Sequence, residues 1–203
     1  MAKIFIVANS SKHSGKTTTS LNLALCFATL TQRTLLISLE EQSWLDALFG
    51  LQNTGSVKAN TFLTYMKGQK LDYTLFEDFD KVIVDCPVHL NASVFKAFKN
   101  LAKLIVPVES EYYGLNNIPN VIREVDNSGM ELAGFLPVMS RPNSAASSAV
   151  IEQLKSYFGD LVFHPSIQRN YYLGRQKDFR KFSLSELSEK AAVTYLALAN
   201  TLL

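Results

Sequence analysis

The sequence predicts an α/β fold with a mostly parallel, twisted sheet and helices on both faces, and three observations carry that prediction. Short apolar runs such as Ile4-Phe5-Ile6-Val7 and Val82-Ile83-Val84 have the composition of strands buried on both faces. Segments with helical apolar spacing, such as Leu21, Leu25 and Ala28, separate them, which is the layout of βαβ units. Polar residues gather where the apolar runs stop, at 10–17, 38–42, 85–87 and after Pro107. Those are the carboxyl ends of strands, where ligands bind in such sheets.

Residues 3–8 read as a first strand and 17–30 as a helix. A second buried strand at 34–39 leads to a short helix at 44–48. With two Gly and two Asn, 50–60 is the least patterned stretch and reads as a loop; 61–67 reads as another short helix. A third strand covers 81–84, followed by a helix at 91–98, a fourth strand at 103–108 and a helix at 118–127, where Pro119 suits the first turn. A fifth strand at 132–138 precedes a helix at 147–157 closed by Gly159, then a short sixth strand at 161–163. Ser183-Leu184-Ser185-Glu186 supplies an N-cap signal for a final helix over 185–203. The whole chain, 1–203, is expected to form a single domain.

Composition excludes several classes. Of the residues, 47% are hydrophobic and 19% charged, which is ordinary for a soluble α/β protein. A net charge of +2 is too small to imply a polyanion partner, so any basic surface must be local. The two cysteines, Cys26 and Cys86, fit a reducing cytosol and no disulfide framework. No apolar run approaches the roughly 20 residues of a membrane span, and no signal peptide is recognisable. The expected location is the cytoplasm.

The stretch Val7-Ala8-Asn9-Ser10-Ser11-Lys12-His13-Ser14-Gly15-Lys16-Thr17-Thr18 carries the chemistry. An apolar run stops, a polar loop follows, and Gly15-Lys16-Thr17 opens a helix. That is the layout of a phosphate-binding P-loop, in which backbone N–H groups face the anion, the lysine reaches the β/γ phosphates and the Thr hydroxyl binds Mg²⁺. Ser10 stands where the usual pattern has its first glycine. Asp85 ends an apolar strand in a carboxylate suited to a Mg²⁺-bound water. Residues 35–42 end the second strand with carboxylates near the γ-phosphate position, where Glu40 is either a water-positioning group or a first-turn acid for 44–48.

These motifs, in this order, resemble those of the ParA/Soj/MinD family of deviant Walker-box P-loop ATPases, the ParA/Soj branch in particular. Ser11-Lys12-His13-Ser14-Gly15-Lys16-Thr17-Thr18 followed by Asn22-Leu23-Ala24 is similar to the family's KGGVGKTT…NLA. Leu35 to Gln42 is similar to LLIDxDPQ, and Phe79-Asp80-Lys81-Val82-Ile83-Val84-Asp85-Cys86-Pro87 to YDYIIIDCPP. Ile105 to Leu115 resembles the IPVxxEYxxL segment. Lys155 to Phe163 with Ile167-Gln168-Arg169-Asn170 resembles the closing YFGDxVF…IPRN.

The resemblance implies an ATP-dependent dimerisation switch. In that family two subunits sandwich two nucleotides, a signature lysine reaches the partner's phosphates, and the dimer binds nonspecific DNA or a membrane. A ParB-like partner stimulates slow hydrolysis, and the cargo is positioned by the cycle. Carried onto this chain, the resemblance assigns ATP to Ser11, Lys12, His13, Ser14, Gly15, Lys16, Thr17 and Thr18 with Arg169 and Asn170. It assigns Mg²⁺ to Thr17 and Asp85, and catalysis to Lys16, Glu40 and Lys12. Departures are concentrated in the loop. Ser11 holds the signature-lysine position, Lys12 and His13 replace two glycines, Ser38 replaces a common Asp, and Gln168 replaces proline. Lys12 is therefore the trans-acting lysine, a cis phosphate contact or a solvated charge. Lys155 is an alternative source of the trans lysine.

Arg175, Lys177, Arg180 and Lys181 form a basic cluster interleaved with Tyr171, Tyr172, Phe179 and Phe182. It reads either as a solvated face or as a sequence-independent DNA contact. The chain has no basic residue after Lys190, which argues against a cationic membrane tail. The expectation is a cytoplasmic, nucleoid-associated ATPase, a homodimer with ATP, that partitions a plasmid, chromosome region or other cargo. The alternative is an ATP-binding scaffold with lost or weak hydrolysis.

Overall fold

A computed structural model describes residues 2–68, 73–87, 92–170 and 189–203. Strand β1 (Lys3–Val7) leads into α1 (Lys16–Thr29), β2 (Thr34–Ser38) and α2 (Trp44–Phe49). Then come β3 (Gly55–Lys58), β4 (Leu63–Lys67), β5 (Lys81–Asp85), α3 (Ala92–Ala97) and β6 (Ala102–Glu109). Helix α4 (Ile118–Ser128), β7 (Glu131–Val138), α5 (Ala145–Phe158) and α6 (Glu189–Thr201) complete the described elements. The strands form one sheet in the order β3-β4-β2-β5-β1-β6-β7. Every pairing is parallel except that of β3 with β4.

Alternation along the strands builds two apolar layers. Ile4, Ile6, Leu35, Ile37, Val82 and Val84 pack on one face with Phe95 of α3, Phe98 just after it, Ile118 and Val121 of α4 and Leu154 of α5. Phe5, Val7, Leu36 and Ile83 pack on the other with Leu21, Leu25 and Phe27 of α1 and Tyr195, Leu198 and Ala199 of α6. Because central parallel strands are buried on both sides, they read as unbroken hydrophobic runs. Each fully buried large apolar side chain contributes roughly 1.5–3 kcal/mol relative to exposure.

Two segments fold differently from the sequence expectation, because period cannot separate strand from helix in runs this short. Residues 61–67 form β4, not a helix: Leu63 and Tyr65 are buried on alternate positions, and the strand pairs with β2 throughout. Part of the expected loop 50–60 is β3, whose edge position leaves its residues mostly exposed and so without an apolar signature. The expected strand at 161–163 is reduced to a single bridge, Val162 to Phe135. The last helix is described from Glu189, and residues 185–188 lie outside the described residues.

Polar contacts hold helix α6 within an apolar surround. Tyr195 is buried and its hydroxyl lies 3.0 Å from Thr19 Oγ1 of α1. Buried Lys81 places its Nζ 5.0 Å from the Phe27 ring centroid and donates to Leu202 O and Leu203 O at 3.3 and 3.1 Å, at the carbonyl end of α6. Tyr195→Phe should destabilise the protein by about 1–3 kcal/mol in denaturant melts, because it strands the Thr19 hydroxyl in the core. Adding Thr19→Val should restore most of the loss.

Candidate functional site

The parallel register brings three strand ends to one level: Val7 pairs with Asp85, and Asp85 with Ser38. The loop between β1 and α1 starts there and is tied at its root. Buried Asn9 donates through Nδ2 to Pro107 O at 2.7 Å and accepts from Ser11 N at 2.8 Å. Ser14 Oγ donates to Ser11 O at 3.1 Å. Gly15 caps α1 at φ +82, a conformation L side chains rarely adopt, and a Cβ there would meet Val138 Cγ2 at 3.4 Å. No side chain caps this helix and its first turn holds no acid. Its N-terminus is thus electrostatically prepared for an anion.

Lys16 is buried and folds back to donate to Ser11 O at 3.0 Å. Burial lowers its pKa, while Asp85 and Glu40 pull it back up. Beneath it, Asp85 is fully buried. Burial pushes this carboxyl up to about 7, against the opposing pull of the Thr17 and Ser20 hydroxyls and the Lys16 ammonium. Ser20 Oγ lies 3.1 Å from Asp85 Oδ1 and 3.0 Å from Lys16 O, so one proton serves two acceptors. Asp85 Oδ2 has no hydrogen-bond partner.

A cleft of about 500 Å³ opens over this loop, lined by Lys12, His13, Ser14, Gly15, Lys16, Thr17, Thr18, Glu40, Gln42, Ser43, Trp44 and Met139. Of the residues expected to bind nucleotide, 12–18 line it. Ser11 is not among the lining residues, and its carbonyl accepts from Lys16. Arg169 stands behind Met139, its Nη2 3.9 Å from Met139 Sδ and paired with Glu109 at 3.4 Å and Glu111 at 3.8 Å. Arg169 and Asn170 are not among the lining residues. Glu40 is half-buried at the mouth, Lys12 and His13 are exposed, and His13 adopts φ +60, the backbone that glycine would supply at no cost. Lys155 is an exposed residue of α5 and is absent from the cleft wall. Arg175, Lys177, Arg180 and Lys181 lie outside the described residues.

Several site residues escaped the sequence reading. Ser20 follows Lys16 by one helical turn, a spacing that places both on one face. Met139 follows β7 at φ +56 and sends its Cε to the Gly15 side of the cleft, within 3.6 Å of the position of a Cβ there. Ser43 and Trp44 enter beside Gln42 because the N-cap of α2 abuts the loop; Ser43 Oγ accepts from Leu45 N at 3.3 Å.

A divalent cation fits this chemistry. Asp85 offers an unpartnered buried carboxylate oxygen and Thr17 a hydroxyl beside it, the hard oxygen donors Mg²⁺ takes alongside phosphate. Among the described residues there is no cluster of three or more His, Cys, Asp or Glu side chains for another metal, and no helix long and apolar enough to cross a membrane.

Comparison with known proteins agrees with this geometry. Residues 5–180 match the CobQ/CobB/MinD/ParA nucleotide binding domain, and the chain belongs to that family. It is 26% identical to the sporulation initiation inhibitor protein Soj of Bacillus subtilis, over 98% of this chain and 97% of that protein. It is 24% identical to the chromosome partitioning protein ParA of Myxococcus xanthus, over 100% and 88%. Among solved structures, apo McdA of Cyanothece superposes with a TM-score of 0.79 at 18% identity, covering 99% of each chain. Cobyrinic acid a,c-diamide synthase of Mycobacterium smegmatis, with bound ATP analogue and magnesium, superposes with a TM-score of 0.79 at 20% identity, covering 100% and 94%.

The Asp85 carboxyl gives the metal-free protein a pH signature. Its folded pKa lies above its unfolded one, so between about 4 and about 7 the native state binds the extra proton. Stability should therefore fall as pH rises through that window and level off above it. Asp85→Asn should flatten that part of the profile in thermal melts.

Proposed function

We propose that this protein is a ParA/Soj-type ATPase that binds ATP with Mg²⁺ in the cleft, dimerises in that state, and resets by slow hydrolysis. The carrying observation is the pairing of an uncapped helix N-terminus and buried Lys16 with a buried carboxylate whose Oδ2 is unpartnered. The helix N-terminus and Lys16 oppose the charge of a triphosphate directly, the carboxylate would hold the cation that offsets the rest, and catalysis of this class is positioning and electrostatics, not covalent chemistry. Lys16 exchanges the Ser11 carbonyl for phosphate oxygens. Thr17 and Asp85 would hold Mg²⁺, which supplies charge neutralisation to the phosphates. Glu40, at the cleft mouth, accepts a hydrogen bond from the attacking water and orients it. The partition role rests on the Soj and ParA relatives and comes with the proposal that the dimer binds nonspecific DNA through Arg175, Lys177, Arg180 and Lys181. A ParB-like or adaptor partner stimulates the cycle, and the protein resides on the nucleoid.

A second reading has its own support. Ser11 occupies the signature-lysine position, and His13 holds at φ +60 a position where the family has glycine. A loop stiffened in this way suits an ATP-binding scaffold that dimerises without turnover. Lys16→Ala should abolish phosphate release, measured with and without DNA, together with ATP-dependent dimers on a sizing column. Tight ATP binding by the wild type with no turnover in any of these conditions would instead favour the scaffold. Replacing Arg175 and Lys177 together by Ala should weaken DNA binding and reduce the slope of log affinity against log salt by about 2. An unchanged salt series would remove the DNA assignment.

A further inference from the structure

Outside the cleft, a connected polar group among the described residues joins α2 to β4. Asp46 of α2 uses both carboxylate oxygens: Oδ1 accepts from the Tyr65 hydroxyl at 2.6 Å and Oδ2 from Lys67 Nζ at 2.6 Å. Lys67 makes a further bond, donating to the backbone carbonyl of Glu41 at 2.7 Å. The pair is well shielded, with 18% of the Lys67 side chain and 15% of the Asp46 side chain exposed, so water screens it less than a surface pair. Burial raises the Asp46 pKa, but the hydrogen bonds from Lys67 and Tyr65 outweigh it and hold the carboxyl below its ordinary value. Tyr65 is fully buried and stacks on Phe49 at 4.5 Å, fixing the far end of α2 to the same strand.

We propose that Lys67, Asp46 and Tyr65 brace the loop between β2 and α2, setting the position from which Glu40 orients the attacking water; they are positioning residues. This rests on the hydrolytic reading above. The Lys67 bond to Glu41 O decides between this role and simple reinforcement of α2. An ion pair serving the helix alone needs only Asp46, whereas Lys67 also grips the backbone next to Glu40. Other described hydrogen bonds tie the two ends of this loop: Leu39 N donates to Asp85 O at 2.9 Å and Glu40 N to Ser38 Oγ at 3.4 Å on the β2 side, and Leu45 N and Asp46 N donate to Ser43 Oγ and O at 3.3 and 3.0 Å on the α2 side. Between them, Lys67 grips the middle of the loop at Glu41 O. The brace thus couples the sheet to a carboxylate at the cleft mouth without touching the nucleotide.

The test uses the full chain with ATP and Mg²⁺. Lys67→Met should reduce turnover at saturating ATP by about 10- to 100-fold, the scale of a displaced catalytic group. The Kd for a non-hydrolysable ATP analogue should stay near the wild-type value. Lys67→Arg, which keeps charge and reach, should recover most of the rate. In a Glu40→Gln background, Lys67→Met should cause no further loss, since the brace acts through Glu40. Hydrogen exchange of the amides at 39–43 should quicken in the Met variant. Turnover at the wild-type level, a parallel loss of nucleotide affinity, or a full additional loss in the Glu40→Gln background would overturn the proposal. If the wild type itself shows no turnover, the hydrolytic reading fails on its own. The exchange arm then decides: unchanged exchange in the Met variant overturns the brace, and faster exchange upholds it as the anchor of the loop.

Discussion

Parallel pairing of β1, β2 and β5 in a common register is the constraint on which the rest of the site depends. It stops three strands at the same height, so that the phosphate loop, the Glu40 loop and Asp85 emerge side by side. Hydrogen bonding along parallel strands does not itself choose that register. The two-sided apolar burial does, because a slip by one residue would exchange the two packed faces, moving Phe5 and Val7 to the side of Ile4 and Ile6. Packing on both sides of the sheet therefore fixes the distance between a lysine and a carboxylate that are far apart in the chain.

Electrostatics at that meeting point is unbalanced. Lys16 and Asp85 are both buried, with burial acting against charge on each; their mutual attraction resists it, helped by two hydroxyls at Asp85 and by Glu40 at Lys16. A buried polar atom with no partner normally costs stability. Asp85 Oδ2 is such an atom, and it lies where a phosphate-bound cation would use it. The same unpartnered oxygen that costs stability is what suits the position to a cation. Substituted residues lie in the first half of the loop, at 10–14, while 15–18 and their buried supports keep the phosphate-binding pattern.

The central strands and the phosphate loop were legible in the sequence because their signals are local. Ile4 to Val7 and Val82 to Asp85 are unbroken apolar runs, and Gly15-Lys16-Thr17 is a compact motif. The β3–β4 edge was not, since Gly55 to Lys58 makes few buried contacts and Leu63 to Lys67 is too short to show a period. That error hid Lys67: at the end of a supposed helix it had no reason to lie beside β2, whereas parallel pairing places it opposite Ser38. Met139 and Asn9 act through backbone conformation and long-range hydrogen bonds, which residue type does not encode. Asp85 was identifiable as a strand-end acid, but its burial and its free oxygen are properties of the assembled sheet.

The strand order also bears on how the protein is made. Strand β1 is flanked by β5 and β6, neither of which is next to it in sequence. On the ribosome, Lys3–Val7 is made before both, and it has no neighbour until synthesis has passed Asp85 and only one until it has passed Glu109. At about 5–20 residues per second, that leaves an apolar strand and the loop after it unpaired for several seconds or more. Non-local parallel pairing of this kind is slow to form. The phosphate loop is thus made before either strand that flanks its root, and ligand binding cannot template the sheet that creates it until those strands exist.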